Sequence, residues 1–203
     1  MDHFNLPIDP DDTRGRIMQA AAELFTEKGY AGATTRAIAE RAGVNEVTLF
    51  RHVGTKENLV KTIMDQFGGM ALAGEMALNL SGNLRQDLTT IGAMMLKVMT
   101  ERGSAMRMAI CEAGNFPEFR EVAADNPRQL RRMLTRYLEG QMAAGNIRPG
   151  HPEALAQAFL GMFFSYTVLR GFLGDDLQTP LSDQELVAQF VDLFVHGTLI
   201  TQE

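Results

Sequence analysis

The chain has one cysteine, Cys111, and no tryptophan. A lone cysteine excludes an intramolecular disulfide, which fits a reducing, cytoplasmic setting. No apolar run reaches the roughly 18 residues of a membrane-spanning helix, so no membrane partner is expected. The opening MDHFNLPIDPDD lacks the basic and apolar regions of a secretion signal, and residues 1–11 are expected to form a flexible arm. Basic residues are outnumbered, 19 against 25 acidic, for a net charge of −6. Any contact with DNA must therefore come from a small local surface. The four histidines, His3, His52, His151 and His196, do not pair with each other or with Cys111 at metal-ligand spacing. Neither a nucleophile elbow, a phosphate loop nor a zinc-protease signature occurs. No enzyme activity, metal or other cofactor is expected. Strand-length alternation and internal repeats are also missing, which leaves an all-α fold.

What is present is helical periodicity. Ile17, Ala20, Ala21, Leu24 and Phe25 form an apolar stripe that stops at Gly29, with Asp11 or Asp12 as its cap. Thr34 caps a second helix carrying Ile38, Ala39 and Ala42. Gly43 suits a left-handed turn, and Asn45 caps a third helix ending near Val53. Thr55 caps a fourth, with Leu59 and Ile63. The stretch from Gly68 to Leu80 is ambiguous. Beyond it, Leu84 to Met99 forms a long apolar face closed by Gly103, and Met106 to Ile110 a short helix broken at Asn115-Phe116-Pro117. Asn126-Pro127 reads as a start, and Pro152 opens a helix apolar on nearly all sides, which must be covered on both faces. Ser182 and Glu185 form a capping box for the last helix. The expected fold is about nine helices.

Thr34 to Lys56, TTRAIAERAGVNEVTLFRHVGTK, therefore reads as two short helices across a glycine turn, the helix-turn-helix whose second helix enters a DNA major groove. Residues 13–60 hold seven cations against five carboxylates, a small positive bias within an acidic chain.

Ile17, Ala20-Ala21, Leu24-Phe25, Gly29-Tyr30, Thr34-Thr35, Ile38-Ala39, Ala42-Gly43-Val44, Thr48-Leu49, Thr55-Lys56-Glu57 and Leu59 occur in the order and spacing of one family. Over Thr13 to Leu59 the chain resembles the TetR-type transcriptional repressors. The resemblance implies a DNA-binding domain in 1–58 and a ligand-binding and dimerisation domain in 59–203. It implies a homodimer through the last two helices and repression at a pseudopalindromic double-stranded operator. It also implies a cavity among the central helices whose filling spreads the two DNA units. Two residues depart from the family pattern: Phe50 stands where tyrosine is usual, and Val53 where phenylalanine is.

Thr34, Thr35, Arg36 and Lys56 lie at helix N-termini, which suits phosphates; Phe50, without the phenolic bond to phosphate, and Arg51 belong to the expected DNA-contacting set, and His52 could donate to a phosphate or be a structural or solvated histidine. Asn45, Glu46, Val47 and Thr48 are the expected base-edge readers. Glu46 could accept from a cytosine amino group, repel a wrong site or cap its own helix. Ten of the thirteen methionines fall between Met64 and Met142, an adaptable packing material. The candidate ligand wall is Phe67, Met95, Met99, Met106, Ile110, Phe116, Met133, Phe159, Phe163 and Tyr166, with Arg170 as a polar anchor. Such a pocket suits a small apolar or amphipathic effector. The alternative is a helical protein that sequesters small molecules and has lost DNA binding.

Overall fold

The computed structural model describes residues 12–66, 80–101, 103–173 and 179–198. These form nine described helices: α1 Thr13–Gly32, α2 Thr35–Arg41, α3 Glu46–Val53, α4 Lys56–Gln66, α5 Leu84–Glu101, α6 Gly103–Glu112, α7 Pro117–Ala143, α8 Pro152–Leu173 and α9 Asp183–Thr198. No strand occurs among the described residues. The expected arm at 1–11, Phe67 and most of the ambiguous stretch after it lie outside them. The chain divides into two compact units, Met1–Gly68 with Ser104–Asp125, and Gly69–Gly103 with Asn126–Glu203.

In the first unit, Ile17, Met18, Ala21, Leu24 and Phe25 of α1 are almost wholly buried, together with Ile38, Leu49, Leu59 and Ile63 from the next three helices. Met108 of α6 and Phe119 of α7 join the same core, with Phe116 packed against it. Asp12 stands at the N-cap of α1 but makes no side-chain cap bond. The other caps act as their residue types dictate: Thr34 accepts from the Ala37 amide at 3.1 Å, Asn45 from Thr48 at 2.8 Å and Thr55 from Asn58 at 3.2 Å. After α2, the Gly43 amide donates to Glu40 and the Val44 amide to Ala39. That bond pair requires a left-handed residue, and Gly43 has φ +69.

In the second unit, α5, α8 and α9 supply most of the core, with Leu134 and Leu138 from α7. Phe159, Phe163, Phe190 and Phe194 meet edge to face or tilted at 5.1–5.3 Å, a favoured aromatic geometry. The Phe163 ring lies directly on the backbone of α5. A Cβ at Gly92 would sit 2.6 Å from its Cζ. The capping box is formed: Glu185 accepts from the Ser182 amide at 2.8 Å, and the Ser182 hydroxyl accepts from the Glu185 amide at 3.3 Å.

One expectation changes. Asn126-Pro127 does not open a helix. Instead Pro117 occupies the first position of α7, and Pro127 lies inside it. Phe119, fully buried in the first unit's core, gives the residues before Pro127 a reason to stay helical despite the lost hydrogen bond. Within one chain α8 keeps part of its apolar surface outward, with Phe164 and Leu169 44% and 46% exposed.

Asp87 is the second unit's buried carboxylate. It accepts from the Ser81 amide and hydroxyl, both at 2.7 Å, the Gly82 amide at 2.8 Å and the Tyr137 hydroxyl at 2.7 Å. Burial raises its pKa, but these donors outweigh burial and hold it below the ordinary 3.8. The same pairing, added to burial, pushes the Tyr137 phenol up.

Two measurements check these packing arguments. Gly92→Ala gains about 1 kcal/mol of helix propensity but overpacks a buried ring, which costs about 1–3 kcal/mol. The expected outcome in urea unfolding is a net loss, recovered when Phe163→Leu is added; a more stable single variant would refute the contact. Because the folded Asp87 pKa is depressed, its contribution is present above the unfolded value and lost as pH falls through the folded one. Asp87→Asn is expected to be less stable than the parent at pH 7, with the difference narrowing in acid below that ordinary value.

Candidate nucleic-acid interface

The eight residues of α3 divide by side. Leu49 is fully buried against the core. By helical spacing positions 47, 50 and 51 fall on the outward side, while Glu46, three before Leu49, is half-buried at its margin. There Val47 is 78% exposed and Phe50 47% exposed. Arg51 is also exposed. Thr48 and His52 are half-buried at the flanks.

Several expected contact residues have internal partners as well. Thr34 and Asn45 are the caps of α2 and α3. The Thr35 hydroxyl donates to Glu46 Oε1 at 2.7 Å. This bond ties the first turns of the two helices together and leaves the other carboxylate oxygen of Glu46 without a bond from Thr35. Arg36 pairs with Glu40 at 3.0 Å on an exposed surface, a contact of small energetic weight. The Lys56 ammonium donates to the Tyr30 carbonyl and lies 4.0 Å from the Tyr30 ring centroid. Burial lowers its pKa, against the pull of Glu57 and Glu112.

Tyr30 is the residue that sequence reasoning named only as part of a motif. Gly29 breaks α1 with φ 68 and ψ 172 and turns Tyr30 into the core. The Tyr30 amide donates to Glu112 Oε1 of α6 at 2.9 Å. Its ring stands 4.6 Å from Phe116 and 4.9 Å from Phe119, both near-perpendicular, and its hydroxyl donates to Glu57 at 3.3 Å. Glu112 is 82 positions away, and no local pattern marks it.

The expected ligand wall falls in both units. Met95, Phe159 and Phe163 are buried in the second unit's core, with Met99, Met133 and Tyr166 packed against it. Arg170 lies 3.9 Å from Asp183. Met106, Ile110 and Phe116 belong to the first unit; Met106 is half-buried, Ile110 is 39% exposed and Phe116 rests on Tyr30. Phe67 is outside the described residues. Among the described residues no group of three or more His, Cys, Asp or Glu could hold a metal ion.

Residues 17–63 match the model of the bacterial regulatory proteins of the tetR family. Residues 86–197 match that of the AefR-like transcriptional repressor C-terminal domain. The HTH-type transcriptional regulator YvkB of Bacillus subtilis is 29% identical over 185 residues, covering 91% of this chain and 96% of that protein. A transcriptional regulator from Pseudomonas aeruginosa PAO1 has the same fold, with TM-score 0.76 at 18% identity and 97% of each chain covered. So does AibR, crystallised with isovaleryl coenzyme A and operator DNA, with TM-score 0.64, 23% identity and 90% and 97% of the two chains covered.

The Tyr30–Glu112 bond gives a direct expectation. Glu112→Ala leaves the Tyr30 amide without its acceptor and should destabilise the protein by about 1–3 kcal/mol. Glu112→Gln keeps a carbonyl acceptor and should recover most of the loss. Equal stability of the alanine variant and the parent in urea would show that this bond contributes nothing.

Proposed function

The chain belongs to the TetR family of bacterial regulatory proteins, and from that premise we propose that it is a ligand-responsive repressor. In this reading it binds a pseudopalindromic operator as a dimer and is released by a hydrophobic or amphipathic small molecule. The observation that carries the reading is the outward side of α3. Val47, Phe50 and Arg51, with the half-buried Glu46 at their margin, stand on a short helix fixed by the Asn45 cap and the Thr35–Glu46 bond. Residues 1–58 would hold the DNA-binding function. Thr34, Thr35, Arg36, His52 and Lys56 would meet phosphates around the groove, with Lys56 giving up its internal partner to do so.

Dimerisation is supported by apolar side chains left uncovered on the last two helices: Phe164 and Leu169 of α8, and Leu193 of α9 at 68% exposure. A monomer that exposes such a surface has a reason to pair with its own copy. A two-fold pair would set its reading helices about 34 Å apart, one turn of the duplex. For the effector, support comes from the methionine- and phenylalanine-rich packing around α5, α7 and α8, and from AibR, which holds an acyl thioester of coenzyme A. Met95, Met99, Met133, Phe159, Phe163, Tyr166 and Arg170 are the residues to test for ligand contact.

One experiment addresses operator and effector together. Footprinting on the DNA flanking the protein's own gene should show a protected two-fold site whose occupancy falls steeply with salt. Adding short- and medium-chain acyl-coenzyme A thioesters or free fatty acids should release it. Salt-dependent operator binding that no apolar or amphipathic compound alters would remove the effector half of the proposal; no protection at any salt would favour the sequestering alternative. Within the site, Glu46→Ala should change the preference among operator variants at one base pair per half-site, and an unchanged preference would end its base-reading role. Leu193→Asp should shift sedimentation from dimer to monomer and lower operator affinity.

A further inference from the structure

On the outward side of α3, beside the exposed Arg51, stand two neighbouring side chains that offer no hydrogen bond. Val47 is the most exposed large apolar residue described, and Phe50 beside it is 47% exposed. An isopropyl group offers neither donor nor acceptor, and a phenyl ring no N–H or O–H. Water gains nothing from either, and the core of the unit does not use Val47. The floor of a major groove presents one apolar group, the C5 methyl of thymine; every other distinguishing feature there is a donor or an acceptor.

We propose that Val47 and Phe50 specify the operator by packing on thymine methyl groups, one methyl per side chain in each half-site. This rests on the reading of α3 as the DNA-reading helix. Spacing restricts the pattern further. Side chains three positions apart on a helix are about 5–6 Å apart, while successive bases along a strand are about 3.4 Å apart. The two thymines therefore fall within one or two base pairs of each other, on one strand or across the two. Glu46 sets one margin of this contact. Thr35 holds one of its carboxylate oxygens at 2.7 Å, so the negative group stays beside Val47. It would disfavour the acceptor-only edge of guanine there and tolerate the amino groups of cytosine or adenine. Arg51, on the other side of Val47, supplies a cation for a phosphate or a guanine.

The contact is to a methyl group and not to a whole base, so it can be tested by removing that methyl alone. The operator is first selected from random duplexes with the full-length protein, and each thymine is then replaced by deoxyuridine. The expected result is two positions per half-site at which affinity falls about three- to fivefold, the effect of one buried carbon. At one of them, Val47→Ala should bind thymine and uracil operators alike while keeping the salt dependence of the parent; Phe50→Ala should do so at the other. Val47 is too exposed for its truncation to disturb folding. Replacing that thymine by cytosine and then by 5-methylcytosine should restore part of the affinity with the methyl. Specific operator binding that is indifferent to uracil at every position overturns the proposal, as does a Val47→Ala variant that keeps the full uracil penalty. Failure to select any operator overturns the DNA-reading assignment itself, and with it this inference.

Discussion

The first unit turns on a reversal of the chain at Gly29. Its φ of 68 is costly for any residue with a side chain, and a Cβ there would also come within 3.0 Å of Glu112 Oε1. Conformation thus requires glycine, and a side chain there would also push on the carboxylate that holds the Tyr30 amide. What the reversal achieves is the placement of Tyr30. One residue presents its amide to α6, its carbonyl and ring face to Lys56 of α4, and its ring edges to the two phenylalanines at the start of α7. Four segments distant in sequence therefore share one anchor. The helices that would read DNA are packed against α1 and α4, so a displacement of α6 or of the start of α7 has a physical route to them through Tyr30.

Electrostatics in this unit depends on pairing more than on total charge. The chain is acidic, yet the carboxylates around the reading helices have internal partners. Glu27 is held by Arg41 through two bonds of 2.7 and 2.9 Å, which keep its pKa below the usual range. Glu40 lies on Arg36 and Glu46 on Thr35. Glu57 lies near the Thr55 and Tyr30 hydroxyls, which lower its pKa. Arg51 has no ion pair among the described residues, so its charge is available on the outward side of α3. A protein of net charge −6 can in this way present a cation to DNA without being basic.

How much of this was legible in the sequence follows from the range of each interaction. Caps and turns were, because Thr34, Gly43, Asn45, Thr55 and the Ser182–Glu185 box act within three or four residues. The all-α class and the outward residues of α3 follow from periodicity of similarly short range. The start of α7 was not: an asparagine-proline pair carries the same local signal whether it opens a helix or interrupts one, and the choice rests with Phe119 and a core that closes through distant residues. Met106, Ile110 and Phe116 fall in the first unit and the other described residues of the expected ligand wall in the second. Periodicity tells which side of a helix is apolar but not which core that side joins. Tyr30–Glu112 and Asp87–Tyr137 are pairings across 82 and 50 positions, beyond any local pattern.

The abutment of Phe163 on Gly92 has a consequence for descent. A side chain at 92 destabilises the fold while the ring remains at 163, and a smaller residue at 163 leaves a void until something fills it. The two positions are therefore expected to change together among relatives, with the loss of the ring coming first, because a void is usually more tolerable than a 2.6 Å collision. Lineages that lost the ring and kept the glycine would carry a void between α5 and α8 that this chain fills with Phe163. A single glycine in this way sets how closely a ring from α8 can approach the backbone of α5.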